Sequence, residues 1–241
     1  MDKAERLLKL KGIAEACRSC SLSASRKRLV FSDGNPDAPL MVVGEAPGRD
    51  EDESGVPFVG RCGRLLRDML RAIGADPVTG CYITNVCLCR PPANRNPDQS
   101  EIECCSKFLR KQIEVVAPKV LVLLGRTAVK GVIPDYGAER LDDLRERTKR
   151  CYGTVSHAGI PVLVTYHPSA LLRDKSRVSG AKDDFRFLQS AITCYYPRGQ
   201  DGCIASDVPP EQLPVQDGAG LHGGAGGDPE GAPGGLPSLF S

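Results

Sequence analysis

Four short apolar runs constrain this chain more than anything else in it: Leu40–Gly44 (LMVVG), 82–86 (YITNV), 120–125 (VLVLLG) and 161–166 (PVLVTY). Each is rich in β-branched residues and nearly continuous rather than alternating, the pattern of strands buried on both faces of a parallel sheet. Between them lie helical patterns. Residues 64–73 (RLLRDMLRAI) and Gln99–Val116 repeat apolar residues at intervals of three and four, with Asp98 at the N-cap position of the second. Residues 183–192 (DDFRFLQSAI) supply a closing helix. Strands alternating with helices imply an α/β sandwich built on a small parallel sheet.

In such sheets ligands bind beyond the carboxyl ends of the strands. The first run leads into Gly44-Glu45-Ala46-Pro47-Gly48, the second contains Asn85, and the fourth leads to His167-Pro168-Ser169. The third ends only in Gly125-Arg126. Three polar or Gly-rich elements converging on one sheet edge are the pattern of an active site.

The last 45 residues differ in kind. Residues 197–241 hold 11 of the chain's 26 Gly and 7 of its 19 Pro, without apolar periodicity. Such a segment cannot bury enough apolar surface to offset its ordering entropy, and it is expected to be disordered. The expected division is therefore a globular domain over 1–196 and an acidic Gly/Pro-rich tail over 197–241. The tail carries Arg198 against six acids, a net of −5, so residues 1–196 hold +7 of a chain whose total is +2. A basic body points weakly to a polyanionic partner, and an ordinary solvated surface explains it equally well. Apolar residues return only at the end, in Leu236-Pro237-Ser238-Leu239-Phe240-Ser241. That stretch reads either as an inert terminus or as a docking peptide resembling those that tether repair enzymes to sliding clamps, though it lacks their usual Gln.

No apolar run approaches the ~20 residues that span a bilayer, and MDKAERLLKLKG has no signal-peptide core. A reducing, cytoplasmic setting is expected, so the 11 cysteines are read as metal ligands or buried thiols rather than disulfides. Cys17-Arg18-Ser19-Cys20 is a CxxC, the bite with which one loop presents two thiolates to one metal centre. Cys89 and Cys105 follow at wider spacing. From the residues alone this remains a zinc site, an iron–sulfur cluster or unrelated thiols. Cys81 and Cys87, in or beside a strand, read as small buried hydrophobes.

The strings GEAPGRDEDESGVPFVGRCGRLL, YITNVCLCRPPANRNPDQSEIECCSKFL and VTYHPSALLR, in that order, resemble the family 4 (thermostable-type) uracil-DNA glycosylases. The resemblance runs from about Cys17 to Gln189 and excludes the tail. It implies a three-layer α/β/α sandwich around a central four-stranded parallel sheet, and hydrolysis of the N-glycosidic bond of uracil in single- or double-stranded DNA. It also implies a monomer of the prokaryotic cytosol. A 4Fe–4S cluster is implied on positions resembling Cys17, Cys20, Cys89 and Cys105. Cys104 is the neighbouring alternative, and Cys105-Ser106-Lys107-Phe108 aligns better with the family's pattern.

The same resemblance distributes the site residues. Phe58 resembles the stacking aromatic, Asn85 the reader of the Watson–Crick edge, and His167 the donor to uracil O2. Glu45, with the backbone of Ala46 and Pro47, resembles the lining of the base and the hydrolytic water, with Glu51 and Asp52 as possible substitutes for the acid. Asn94 is a further contact, and Arg95, Arg173 and Lys175 are candidate phosphate contacts. His157 and His222 read as ordinary residues. Two other readings stand beside turnover. One is a branch that traps the abasic sugar with a His in an inserted basic loop; here 90–104 carries neither His nor insertion, and Ala46 stands where that branch tends to have Gln. The other is a DNA-binding module that lost activity, against which Glu45, Asn85 and His167 stand intact.

Overall fold

A computed structural model describes residues 1–193. The tail from 197 onward, its Leu236–Ser241 segment, His222, Cys194 and Cys203 lie outside the described residues. In chain order the elements are α1 (Lys3–Glu15), α2 (Leu22–Ser25), β1 (Ser32–Gly34), β2 (Leu40–Gly44), α3 (Arg49–Ser54) and α4 (Arg61–Ala72). Then come β3 (Cys81–Asn85), α5 (Gln99–Val116), β4 (Val120–Leu124), α6 (Gly125–Val132) and α7 (Leu141–Arg150). The chain closes with β5 (Ser156–His157), β6 (Ile160–Thr165), α8 (Pro168–Arg173) and α9 (Val178–Ile192).

The four apolar runs form the expected parallel core, in the order β3-β2-β4-β6. Two short strands that the sequence reading missed extend it to six: β1 adds antiparallel to β3, and β5 antiparallel to β6. At three and two residues they are too short to show any periodicity.

Successive residues of one strand face opposite layers. Met41, Val43, Leu121, Leu123, Val162 and Val164 face a core completed by α1, α5 and α6. Leu40, Val42, Val120, Val122 and Leu163 face a second core completed by α4 and α9. Both faces are covered, which is why β2, β3 and β4 are buried at every position and read as unbroken apolar runs. The result is the expected α/β/α sandwich. No described helix is long and apolar enough to cross a membrane.

Helix α5 starts at its expected N-cap, where the Glu101 carboxylate accepts from the Asp98 N–H at 2.8 Å. Helix α1 was not anticipated, although Asp2 and Glu5 form a capping box that marks its start. The chain goes from β2 to β3 on one side and then to β4 on the other. The carboxyl ends of β2 and β4 thus flank a topological switch point, where a crevice opens.

Candidate active site

That crevice is a cleft of about 540 Å³. Glu45, Ala46 and Pro47 line it from the loop leaving β2, Asn85 from the last position of β3, and His167 from the exit of β6. Phe58 reaches it from the loop between α3 and α4, and Asn94 from the loop before α5. Every one of these sequence-assigned residues therefore reaches a single cavity, although they come from segments scattered over more than a hundred positions.

Phe58 is held in an unusual backbone state, with φ +56°. A bulky residue keeps such a conformation only where its surroundings over-determine it. Here Arg67 Nε donates to the Phe58 carbonyl at 3.0 Å, and Glu51 accepts from the N–H groups of Val59 and Gly60 at 3.0 and 2.8 Å. The second Glu51 oxygen accepts from Gly48 N–H at 3.0 Å, and Asp52 accepts from Lys27 N–H at 2.9 Å. Glu51 and Asp52 thus serve the loop backbone, and the other carboxylates lining the cleft are Glu45 and Asp50.

Gly44 explains how ring and amide come together. A Cβ at this position would lie 2.4 Å from both the Phe58 ring and Asn85 Oδ1, so only glycine permits that approach. Asn85 is 2% exposed, and its Oδ1 has no hydrogen-bond partner among the described residues. A buried acceptor left unpaired costs about 1–3 kcal/mol, and a ligand N–H would remove that cost. The Phe58 and His167 rings lie 6.0 Å apart, centroid to centroid.

His167 caps α8. Its Nδ1 accepts from Ser169 N–H at 3.2 Å and stands 2.9 Å from Ser169 Oγ. An accepting Nδ1 puts the ring proton on Nε2 in the neutral tautomer. Desolvation in the cleft, and to a lesser degree the Arg173 charge, lower the imidazole pKa to about 4. At neutral pH His167 is therefore an uncharged N–H donor.

The basic residues divide. Arg61 and Arg173 line the cleft, whereas Lys175 is not among its lining residues. Arg95 also lines it, but its guanidinium is engaged by Glu101 through two hydrogen bonds of 2.8 and 2.7 Å. That pairing holds the Glu101 carboxyl down at about 2. Glu101 also accepts from Ser21 Oγ at 2.9 Å, so Arg95 fastens the cleft-lining loop to the CxxC segment rather than standing free for phosphate. Arg95 and Glu101 are only six positions apart, but Ser21 and Glu101 are 80, so the link to the CxxC segment is made by the fold and by no local pattern.

Cys17, Cys20, Cys89, Cys104 and Cys105 line one recess roofed by Ala14, Leu29, Leu88 and Phe108. Cys89 Sγ accepts from Arg26 at 3.1 Å, and Cys105 Sγ from Leu88 N–H at 3.4 Å. A hydrogen bond from Cys87, joined by the Leu88 N–H, holds the Cys105 thiol below its ordinary pKa against the effect of burial. Cys105 packs on the core, whereas Cys104 makes none of these contacts. Among the described residues no three Cys, His, Asp or Glu side chains are grouped to hold a single metal ion.

Comparison with known proteins follows the same lines. The family model of the uracil DNA glycosylase superfamily matches residues 31–191. A type-4 uracil-DNA glycosylase of Sulfurisphaera tokodaii is 38% identical over 194 residues, covering 80% of this chain and 87% of the relative. The type-4 enzyme of Pyrobaculum aerophilum is 39% identical over 170 residues, 69% and 85% of the two chains. That of Thermotoga maritima is 41% identical over 160 residues, 66% and 80%. With the site assembled at the same three strand ends that carry the motifs, the chain belongs to the uracil DNA glycosylase superfamily and groups with its type-4 members.

Proposed function

We propose that this protein is a monofunctional uracil-DNA glycosylase that flips uracil out of DNA and hydrolyses its N-glycosidic bond, leaving an abasic site. The observation that carries this reading is Asn85 Oδ1, without a hydrogen-bond partner among the described residues and buried beside the Phe58 ring in a cavity wide enough for one nucleobase. Uracil offers an N–H at N3 to that oxygen, while cytosine has a bare nitrogen there. Deaminated cytosine opposite guanine is mispaired, which lowers the cost of extrusion.

Phe58 stacks the base, and the Asn85 amide reads N3–H and O4. Neutral His167 donates from Nε2 to O2. As the C1′–N1 bond breaks, its electron pair moves onto the base and is stabilised at O2, and the sugar becomes oxocarbenium-like. Glu45 orients a water whose oxygen bonds to C1′. Its carboxylate takes up the water's proton and offsets the sugar's positive charge. Ala46 and Pro47 close the wall behind the base, and Arg61 and Arg173 lie where the flanking phosphates pass.

The cleft lining contains no histidine besides His167 among the described residues, which leaves a sugar-trapping branch without its second imidazole. Incubation with a uracil-containing oligonucleotide decides the matter. Turnover predicts free uracil and alkali-labile strands; a covalent adduct, or binding with no release, overturns it. A monomer acting in the cytosol is part of the proposal.

The protonation state of His167 sets the pH dependence. Because its pKa is lowered to about 4, the neutral donor persists through the ordinary imidazole range and is lost only as pH falls through that value. Single-turnover rates are expected to show no acid limb centred near 6.5. An acid limb there that disappears in His167→Asn would contradict the assignment.

Cys17, Cys20, Cys89 and Cys105 are proposed as ligands of a 4Fe–4S cluster. The donor set supports this: the four line one recess together with Cys104, and an N–H and a guanidinium are directed at the Cys105 and Cys89 sulfurs. When bound, the cluster supplies a cross-link between the N-terminal segment and the start of α5, not a catalytic step. Anaerobically purified protein is expected to be brown, with a visible thiolate-to-iron band. Cys89→Ser should lose the colour together with folding stability. A colourless, zinc-loaded protein would refute the cluster.

A further inference from the structure

Glu45 sits in a loop, since β2 ends at Gly44 and α3 begins only at Arg49. Its carboxylate is nevertheless anchored, because Thr127 Oγ1 donates a hydrogen bond to Glu45 Oε2 across the switch-point crevice. Thr127 is 8% exposed and lies in the first turn of α6, whose Ala128, Val129 and Val132 are buried in the core. Two residues earlier Gly125, with φ +81°, starts the same helix against His167. A Cβ there would sit 3.2 Å from His167 Cβ. The first turn of α6 thus abuts both the group that faces the water and the group that faces the leaving base. The third apolar run, which ends in nothing distinctive, turns out to carry the brace of the site.

We propose that Thr127 is a positioning residue: it fixes one oxygen of Glu45 so that the other is presented to the attacking water. This rests on the uracil-excision reading and extends it to a cleft-lining residue that acts through Glu45. The hydroxyl is the operative group, so Ser preserves the brace and the isosteric Val removes it. An anchored carboxylate keeps the water in line with C1′, and a displacement of about 1 Å at such a site costs on the order of 10²-fold in rate.

The test is single-turnover excision, with DNA affinity measured in parallel, for wild type, Thr127→Val, Thr127→Ser, Glu45→Ala and the double variant Glu45→Ala/Thr127→Val. Thr127→Val is expected to slow the chemical step by about 10- to 100-fold with DNA affinity unchanged. Thr127→Ser should restore most of the rate. In the Glu45→Ala background the Val substitution should add nothing, because the group it positions is already gone. Thr127→Ala deletes the same donor without the added methyl, and is expected to match Val. Wild-type rates in Val and Ala, failure of Ser to rescue, or an equal loss in the Glu45→Ala background would each overturn the proposal while leaving uracil excision standing. A wild-type protein that releases no uracil would remove the parent reading, and this one with it.

Discussion

Asn85→Ala is expected to lower uracil excision by about 10²–10³-fold, the usual effect of removing one preorganised polar contact from a reacting site. It should also erase the discrimination between uracil and cytosine. The physical reason is the state of the amide before substrate arrives. Asn85 is 2% exposed and its Oδ1 has no partner among the described residues, an unmet acceptor in the cleft. Uracil N3–H satisfies it. Cytosine does not, because it sets a bare N3 against Oδ1 and an N4 amino group against the amide N–H. Sites built to hydrogen-bond one substrate reject an analogue lacking the group by about 10⁴–10⁵. The substitution also has an unusual stability signature. Deleting a buried group that makes no hydrogen bond through its oxygen removes a cost, so the variant should melt no lower than wild type apart from lost packing. Rate and melting temperature measured on the same preparation check both halves. A large fall in stability together with undiminished selectivity would show that Asn85 is a structural amide.

Asp184→Ala carries the largest expected effect on stability, about 3–5 kcal/mol, the loss seen when one partner of a buried ion pair is removed. Asp184 is 0% exposed. Its carboxylate takes Arg145 Nε and Nη2 at 2.8 and 3.0 Å, Lys149 Nζ at 2.9 Å and Thr165 Oγ1 at 2.6 Å. Removing it leaves the buried guanidinium, which stacks on the Tyr166 ring at 3.9 Å, with the more exposed Asp142 at 3.3 Å as its acid. Thr165 ends β6 and Tyr166 precedes His167, so the same network fixes the strand end that delivers the imidazole. Replacing the pair together, as in Arg145→Met/Asp184→Leu, is expected to cost less than Asp184→Ala alone, because the buried guanidinium goes with its partner and Lys149 keeps Glu146 at 2.8 Å. Chemical denaturation of the three proteins tests this. Equal losses in the single and double variants would mean that packing, not charge, governs the position.

What the sequence made legible follows from how each feature is encoded. The parallel core could be read because strands covered on both faces carry their burial in consecutive residues, as in LMVVG and VLVLL. Asn85, His167 and Glu45 could be read because strand ends are where chemistry gathers, and because their surrounding motifs resemble a known family. The expected cleft residues were all brought together. Other features depend on pairs far apart along the chain, which no local pattern records. Arg145 and Asp184 are 39 positions apart, and Thr127 and Glu45 are 82. Glu51 looked like a spare acid in an acidic run, and only the folded loop shows its oxygens committed to Gly48, Val59 and Gly60. Arg95 reads as a phosphate contact in the sequence, and only the folded loop shows Glu101, six positions on, holding its guanidinium. The edge strands β1 and β5 were invisible because two or three residues cannot establish a period.

One structure tests the whole account: the Glu45→Ala protein crystallised with a uracil-containing duplex. The account predicts the uracil extruded between Phe58 and the strand ends, its N3 within hydrogen-bond reach of Asn85 Oδ1 and its O2 facing His167 Nε2. A uracil still stacked in the helix, or seated in any other cavity of the protein, would contradict it.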